Sequence, residues 1–263
     1  MKVHIIAVEG LDGAGKTTFV PKLYNAIISA IKPGVPRRRL NIVMEKFPQY
    51  ESEMGKYIKG LLDKDSLDHS EKLKLAKAFQ HDRNLWFIKN YPIFDEYKEV
   101  VVVCDRYALS LPITMAPMFD DVKKQAELFW KEEKERFRNV MPEMNIVLKM
   151  PFSAHVKRLS DRKDKDGFEK DIGIIDRRCS YLDRVLKWVN PDGLLVLPAA
   201  AMDPKYTSFS TDMEKLIIDK CLAQVERLIN TEEETVIKRR TRFDDPSLES
   251  LFNKMLEGDP NAK

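Results

Sequence analysis

A glycine-rich loop between a predicted strand and a predicted helix holds the first residues that could do chemistry. The segment Gly10-Leu-Asp-Gly-Ala-Gly15-Lys16-Thr17 fits the pattern G-x-x-x-x-G-K-[ST]. Glycines let backbone N–H groups turn onto phosphate oxygens, and the start of the following helix adds partial positive charge. We expect Lys16 to reach the β and γ phosphates of a nucleoside triphosphate and the Thr17 hydroxyl to bind Mg²⁺. The motif predicts triphosphate binding without naming the reaction.

A second pair of reactive side chains follows the valine run 100–103. Asp105 and Arg106 end this predicted strand, at a position where an ATPase motor usually carries paired acids. A basic residue there indicates a second anionic ligand close to the triphosphate. The guanine-reading Asn-Lys-x-Asp of GTPases is missing, because the single Asn-Lys pair, Asn253-Lys254, is followed by Met255 and Leu256. These residues favour a nucleotide kinase.

Alternating strand and helix patterns must position these residues. Predicted strands cover 2–8, 41–46, 100–103, 145–150 and 194–197. Predicted helices cover 17–30, 56–62, 70–91, 121–138, about 174–189 and 211–229, with Ser70 and Ser153 as expected N-caps. Strands separated by helices in this way form βαβ units. The sequence therefore predicts an α/β protein with the P-loop NTPase fold, a five-stranded parallel sheet with helices on both faces.

Composition excludes several other classes of protein. The chain has 263 residues, with 45 Lys plus Arg against 42 Asp plus Glu and 43% hydrophobic residues. These values are typical of a folded globular protein and do not indicate nucleic-acid binding. The longest apolar run, 100–104, is too short to span a membrane, and the first residues show no secretory signal pattern. Three widely spaced cysteines make a disulfide framework unexpected, so we expect a cytoplasmic protein.

We expect one nucleotide kinase domain over residues 1–230 and a C-terminal extension over 231–263. The extension is more polar and is expected to be a helix at 247–256 on a partly flexible tail. It also holds the basic cluster 238–242. Solvated tail charges are the usual explanation of such a cluster, so nucleic-acid binding is not expected.

Five ordered segments together resemble the thymidylate kinase family, and more its eukaryotic and viral branch than its bacterial branch. The resemblance covers about residues 4 to 230. The segments are Glu9-Gly-Leu-Asp-Gly-Ala-Gly-Lys-Thr-Thr18, Lys46-Phe-Pro48, Glu53-Met-Gly-Lys56, Asp68-His-Ser70 leading to Phe79-x-x-x-Arg83, and Asp105-Arg-Tyr-Ala-x-Ser110. Their order and spacing are specific, although each alone is weak apart from the first. The resemblance implies a divergent member that transfers the γ-phosphoryl group of Mg·ATP to dTMP, giving dTDP and ADP for dTTP synthesis.

The resemblance also implies a role for each matching residue. The catalytic residues would be Lys16, Asp105, Arg106 and Arg162. ATP would contact Gly10, Asp12, Gly13, Ala14, Gly15, Lys16, Thr17, Thr18 and Arg158. The acceptor dTMP would contact Asp12, Phe47, Phe79, Arg83, Arg106, Ser110 and Thr114. Mg²⁺ would lie at Thr17 and Asp105.

Phe79 and Arg83 are expected to bind the acceptor base. Their i, i+4 spacing puts both side chains on one face of a helix. The resemblance implies that Phe79 stacks on thymine and that Arg83 donates to a base carbonyl; without it, a core phenylalanine and a solvated arginine would be the favoured interpretation. Arg106 would bind the 5′-phosphate, because a guanidinium fork fits two oxygens at once. Asp12 would lie near the sugar 3′-hydroxyl.

The charged stretch at about 158–171 lies where the family has a mobile lid. Some relatives carry a catalytic arginine in the phosphate loop, but this chain has Gly13 at that position. The resemblance therefore implies that the lid supplies the cation needed for phosphoryl transfer. The candidates are Arg158, Arg162, Lys163 and Lys165, with Arg162 the first choice; a solvated surface loop is the alternative.

Three positions depart from the family pattern. Tyr50 replaces an arginine expected near the acceptor phosphate, for which Lys46 is a candidate substitute. Thr114 stands where relatives place an aromatic residue or glutamine against the base, and Phe168 stands where they have tyrosine. Phosphorylation of a nucleoside monophosphate by ATP is still implied. The acceptor is left open between dTMP and other or several (deoxy)nucleoside monophosphates, such as dUMP or a modified pyrimidine.

The expected partners follow from the same resemblance. We expect dTMP and ATP as ligands and a homodimer that packs through helices including the one with Phe79. No membrane partner is expected. A deoxynucleoside kinase and a non-catalytic nucleotide-binding interaction module stay as alternatives, and the preference for ATP over GTP is left open.

Overall fold

Five parallel strands form the centre of the computed structural model, which describes residues 1–30, 40–64, 66–137, 139–161, 171–198, 218, 219, 222 and 223. The strands are β1 (Lys2–Gly10), β2 (Leu40–Lys46), β3 (Glu99–Asp105), β4 (Met144–Lys149) and β5 (Leu194–Pro198). Their order across the sheet is β2-β3-β1-β4-β5, and every neighbouring pair is parallel. The predicted five-stranded parallel sheet is confirmed.

Helices connect these strands within the described ranges. They are α1 (Lys16–Ala30), α2 (Glu53–Leu62), α3 (His69–Phe94), α4 (Ser110–Thr114), α5 (Val122–Glu135), α6 (Phe152–Ser160) and α7 (Ile172–Val189). A short 3₁₀ turn at Ala116–Met118 follows α4. The predicted helices at 17–30, 56–62, 70–91, 121–138 and 174–189 are confirmed with shifted ends, whereas α4 was not predicted.

The valine run of β3 shows how the sheet is buried on both faces. Val101 and Val103 pack in the cluster that includes Leu23 of α1. Val100 and Val102 pack in a second cluster with Trp86 of α3 on the other face. Successive side chains of a strand point to opposite faces, so a run without alternation requires cover on both sides. The helices on both faces supply that cover.

Two predicted helix caps are wrong. The N-cap of α3 is Asp68, not Ser70: the Asp68 carboxylate accepts from the Glu71 N–H at 2.8 Å, and the Glu71 carboxylate accepts from the Asp68 N–H at 3.0 Å. This reciprocal capping box satisfies two backbone donors at once. The N-cap of α6 is Pro151, and Ser153 lies inside the helix. The fixed φ of proline suits a helix start without a side-chain bond.

Several predicted features lie outside the described residues. They are residues 162–170 of the expected lid, most of the expected helix at 211–229, and the whole extension at 231–263 with its helix at 247–256. Within the described part of the chain, no helix is long and apolar enough to cross a membrane.

Candidate active site

The carboxyl ends of β1 and β3 lie side by side, with Val8 opposite Asp105 in the register. The glycine-rich loop leaves β1 at this edge, and the Asp105-Arg106 pair leaves β3. Gly10 has a φ of 143°, and an added Cβ would lie 2.6 Å from the Leu148 carbonyl oxygen. Only glycine fits that backbone conformation and that approach to β4. In parallel α/β sheets, this edge is where ligands bind.

Lys16, the first residue of α1, lies across the glycine-rich loop. Its Nζ donates to the carbonyl oxygens of Gly10 and Leu11, each at 2.9 Å. Burial and the neighbouring Arg106 charge lower the pKa of Lys16 to about 7, against the opposing pull of Asp12. A cation held this way in a desolvated loop is ready to exchange carbonyl oxygens for phosphate oxygens, which stabilise its charge better.

The rest of the loop presents its polar groups at the start of α1. Thr17 and Thr18 are exposed, Gly13 and Gly15 are partly exposed, and Ala14 is buried. The carbonyl oxygen of Gly13 accepts a hydrogen bond from Arg158 Nη1 of α6 at 3.0 Å. Arg158 therefore contacts the phosphate loop, and its predicted contact with ATP stays a prediction.

Thr17, in the first turn of α1, meets Asp105 at the end of β3. The Thr17 hydroxyl donates to Asp105 Oδ2 at 3.0 Å. Mg²⁺ prefers hard oxygen ligands and usually keeps several waters, with few protein ligands and substrate phosphates completing the set. The described residues contain no cluster of three or more His, Cys, Asp or Glu that could enclose a metal by themselves. The oxygen pair therefore fits a magnesium ion that arrives with a nucleotide.

Arg106 is fixed in an uncommon backbone conformation. Its φ is 69°, in the left-handed region that non-glycine residues rarely adopt. Its N–H donates to the Val8 carbonyl oxygen at 3.0 Å, and its side chain forms an ion pair with Asp12 of the glycine-rich loop. Burial opposes the charge of Asp12, but Arg106, Lys16 and Arg178 outweigh it and hold the pKa of Asp12 below its ordinary value.

Glu9 links the two loops from below and was not predicted as a site residue. It is fully buried, and its carboxylate accepts from the Tyr107 N–H at 2.9 Å and from the Ser110 hydroxyl. Burial raises the pKa of Glu9, against the opposing hydrogen bond from Ser110 and the charge of Arg106. These bonds fix the loop after β3 to the end of β1, so they hold Arg106 in place.

All seven residues predicted to contact the acceptor line one cleft of about 600 Å³, including solvent at its mouth. The predicted residues are Asp12, Phe47, Phe79, Arg83, Arg106, Ser110 and Thr114. Residues without a predicted binding role also line it, namely Pro48, Tyr50, Leu62, Leu111, Met115 and Arg178. The cleft is therefore lined by a charged group of the phosphate loop on one hand and by aromatic and apolar side chains on the other. Such a lining suits a nucleotide.

Phe79 and Arg83 both face the cleft from α3, and Arg83 has a strong partner behind it. Arg83 Nε and Nη2 donate to the two carboxylate oxygens of Glu133 in α5, at 2.6 and 2.7 Å. Glu133 is fully buried and also accepts from Asn139 at 2.8 Å. A bidentate pair fixes the plane of the guanidinium. Arg83 is therefore a fixed donor and not the solvated charge of the alternative interpretation.

Phe47 and Thr114 line the cleft, and contacts with neighbouring residues hold both side chains. The Phe47 ring makes edge contacts with Trp86 and Tyr107 and is almost fully buried. The Thr114 hydroxyl donates to the Ser110 carbonyl oxygen at 2.6 Å, one turn earlier in α4. Lys46, the predicted substitute for the missing arginine, is exposed and does not line the cleft.

Sequence patterns miss three charged residues of this site. Arg178 in α7 faces Asp12, Glu133 in α5 holds Arg83, and Glu9 joins the two loops. The signal for Glu9 is present, because an acid directly before a phosphate loop stands in a buried strand. Glu133 and Arg178 lie on charged helices and give no local signal. Arg162, Lys163 and Lys165 lie outside the described residues.

Comparison with known proteins gives one family. The family model described as thymidylate kinase matches residues 8–190. A thymidylate kinase of Pediococcus pentosaceus is 26% identical over 208 residues, which are 76% of this chain and 91% of that protein. A probable thymidylate kinase of Methanosarcina acetivorans is 24% identical over 233 residues, 87% of this chain and 100% of that protein.

A solved structure shows the same fold. The crystal structure of thymidylate kinase from Ehrlichia chaffeensis matches with a TM-score of 0.51 and 19% identity, covering 75% of this chain and 88% of that chain. The predicted P-loop NTPase fold is thereby confirmed. The placement in the eukaryotic and viral branch stays a prediction. Because the family model covers well over half of the sequence, the chain belongs to the thymidylate kinase family, as a divergent member.

Proposed function

We propose that this protein is a thymidylate kinase that transfers the γ-phosphoryl group of ATP to dTMP, giving dTDP and ADP. One observation carries the proposal: Asp12 of the phosphate loop lines the same cleft as Phe79 and Arg83, the two residues expected to bind the base. A donor triphosphate on the loop and an acceptor nucleotide in the cleft would meet at Arg106. Family membership supports the same reaction.

The reaction needs positioning and charge neutralisation more than covalent chemistry from the protein. A phosphate oxygen of dTMP attacks the γ-phosphorus, and the bond to the β–γ bridging oxygen breaks to release ADP. Lys16 would hold the β and γ phosphates after leaving the Gly10 and Leu11 carbonyls. Arg106 would hold the acceptor phosphate in line, since its backbone is fixed by Val8 and its side chain faces the cleft.

Mg²⁺ is expected with the ATP, held at Thr17 and Asp105. When bound, the ion would draw charge from the β and γ phosphate oxygens. The hydrogen bond between the Thr17 hydroxyl and the Asp105 carboxylate supports this pair. Arg158, bonded to the Gly13 carbonyl beside the loop, is proposed to contact ATP. Arg162 stays the proposed lid cation.

The acceptor base is proposed to lie between Phe79 and the apolar wall that includes Leu111 and Met115, with Arg83 at its edge. Two nitrogens of Arg83 are taken by Glu133, and Nη1 has no hydrogen-bond partner among the described residues. A single oriented donor fits a carbonyl oxygen of a pyrimidine. Phe79 is partly exposed, as a stacking surface requires.

The proposal is tested by ADP release from Mg·ATP with dTMP, dUMP, dCMP, dGMP, dAMP or thymidine as acceptor. We expect the highest kcat/KM with dTMP. Thymidine should give no turnover, because it has no phosphate group for Arg106 to hold. Preference for another monophosphate would keep the reaction class and correct the acceptor. Turnover of thymidine would identify a nucleoside kinase, and no turnover with any acceptor would favour the nucleotide-binding module.

We also propose that the protein is a homodimer packed through α3. Ile93 near the end of this helix is 53% exposed, which is unusual for a large apolar side chain. Sedimentation equilibrium of the purified protein should give about twice the monomer mass. A monomer at micromolar concentration would contradict the dimer and leave the proposed reaction untouched. The cytoplasmic location stays a prediction.

A further inference from the structure

Asp12 is shared by two arginines that come from different parts of the chain. Arg106, after β3, pairs with Asp12 Oδ1. Arg178 of α7 places Nη1 3.5 Å from the other oxygen, Oδ2. All three residues line the same cleft. The carboxylate therefore lies between two guanidinium groups at the point where the phosphate loop meets the acceptor cleft.

The Arg178 guanidinium is held by contacts within the chain. The residue is only 6% exposed. Its Nε donates to the Thr114 carbonyl oxygen at 2.8 Å, and Nη2 lies 3.9 Å from the sulfur of Met118. These contacts tie α7 to the segment after α4 and leave Nη1 directed at Asp12. A guanidinium fixed in this way loses little conformational freedom when it binds an anion.

Both guanidiniums have N–H groups close to the Asp12 carboxylate. Arg106 also lies near Asp105 and Glu9, and against the effect of burial these acids and Asp12 raise the pKa of Arg106. A phosphate monoester carries nearly two negative charges and three acceptor oxygens, so it can satisfy both forks better than the single carboxylate does.

Within the described residues, the other candidate cations for the acceptor phosphate either do not line the cleft or are paired with an acid. Tyr50 lines the cleft at the position where an arginine was expected, and Lys46 is exposed and does not line the cleft. Arg83 lines the cleft but is neutralised by Glu133 behind it. Among the described residues that line the cleft, the cations are therefore Arg83, Arg106 and Arg178.

We propose that Arg178 is the second arginine of the acceptor-phosphate site, which binds the 5′-phosphate of the nucleoside monophosphate together with Arg106. The proposal rests on the proposed function for the presence of a monophosphate in this cleft. Arg178 then does the work that Lys46 was expected to do, from a helix more than a hundred residues away in sequence.

Binding of dTMP and of thymidine, which lacks the phosphate, tests the proposal by titration calorimetry. Arg178→Met should weaken dTMP binding by about tenfold to a hundredfold, the range for hydrogen bonds to a charged partner. Thymidine binding should change by less than about twofold, because that ligand makes no phosphate contact. The affinity of Arg178→Lys for dTMP should lie between those of the wild type and Arg178→Met, because an ammonium keeps the charge but cannot replace the two-pronged guanidinium.

Arg177→Met is the matched control. Arg177 is the exposed neighbour on α7, and its Nη2 donates to the Phe119 carbonyl oxygen at 2.9 Å. It anchors the same segment but does not line the cleft. Its loss should leave the affinities for dTMP and thymidine unchanged. A selective loss of dTMP binding in this control would assign the effect to anchoring and overturn the proposal.

Equal weakening of dTMP and thymidine by Arg178→Met would also overturn it. If Arg178→Met does not fold, Arg178→Lys decides: lost dTMP affinity with kept thymidine affinity supports the role, and unchanged dTMP affinity contradicts it. The proposed function is tested separately by turnover of the wild-type protein. If that protein phosphorylates another monophosphate, this nucleotide and its nucleoside replace dTMP and thymidine in the comparison.

Discussion

Single residues at the carboxyl end of the sheet are charged, buried or half-buried, and paired with one another. Lys16 bonds to two carbonyl oxygens, and Arg106 bonds to Asp12. Buried charges without partners would cost several kcal/mol each, so these internal bonds stabilise the site. In the proposed reaction, nucleotide phosphates would replace these internal partners with little rearrangement of the side chains.

Lys16→Ala should abolish transfer while the fold is kept. We expect kcat/KM to fall by at least about a hundredfold, the usual effect of losing one charge-stabilising donor. The midpoint of thermal unfolding should not fall, because burial that lowers the pKa of Lys16 to about 7 shows that the charged lysine is disfavoured there. Initial rates and thermal melts measure the two effects. Lys22→Ala, exposed on α1, is the control, and turnover preserved in Lys16→Ala would remove the assigned phosphate site.

Residue roles could be predicted where they depend on local chain geometry. The phosphate loop lies within one short segment, so spacing is sufficient to predict it. Phe79 and Arg83 lie on one helix face, but their assignment to the base depends on the family resemblance and not on spacing alone. Arg178 and Glu133 act on residues 166 and 50 positions away. Only the packing of α7 and α5 against the cleft brings these contacts about, and a charged helix surface gives the same local pattern whether it faces solvent or a site.

At the scale of secondary-structure elements, the helices α2 and α3 position the residues that line the cleft. α3 carries Phe79 and Arg83 into the cleft, and α2 begins after the segment that carries Phe47 and Tyr50. The existence of both helices was predictable from apolar spacing. The start of α3 was not, because Asp68, His69 and Ser70 lie together and two of them are good N-caps. The capping box identifies Asp68 as the N-cap, because Glu71 lies three residues after Asp68 and its side chain bonds back to the Asp68 N–H.

The α3 cap gives a matched pair of substitutions. Asp68→Ala removes the hydrogen bond to the Glu71 N–H and should lower the free energy of unfolding by about 1 kcal/mol. Ser70→Ala lies inside the first turn and should change it by less than about 0.5 kcal/mol. Urea denaturation measures both. An equal loss in the two variants would contradict Asp68 as the N-cap, and a larger loss in Ser70→Ala would place the cap at Ser70.

Two glycines of α2 should respond in opposite ways to the same change. An added Cβ at Gly60 meets nothing within 4 Å, so Gly60→Ala should stabilise the protein by about 0.5–1 kcal/mol. At Gly55 the Cβ would lie 1.8 Å from the Gln49 carbonyl oxygen, so Gly55→Ala must push α2 away from the cleft segment. We expect it to lower both the stability and the affinity for dTMP. Denaturation and calorimetry test the pair, and tolerance of alanine at Gly55 would contradict the close packing.

At the scale of the whole molecule, folding buries polar groups that respond to pH. His81 on α3 is 4% exposed and His155 on α6 is 2% exposed. Burial lowers the pKa of each to about 4. The ordinary value is 6.5, so the unfolded chain binds more protons than the folded chain between pH 6.5 and 4. The two histidines therefore contribute stability that is present above pH 6.5 and is lost as the pH falls towards 4.

The expected size of this loss is about 3 kcal/mol for each histidine once both are protonated. Burial raises the pKa values of Glu9 and Asp82, so these carboxyls act in the opposite sense and make the total dependence shallower. The contribution of the histidines is isolated by comparing urea unfolding of the wild type and His81→Gln/His155→Gln from pH 7 to 4.5. The variant should be less stable at pH 7 but lose less stability on acidification. His69→Gln, at an exposed position, is the control and should follow the wild-type curve. Parallel curves for the double variant and the wild type would contradict the prediction, because they would show that His81 and His155 are protonated at their ordinary pKa in the folded chain.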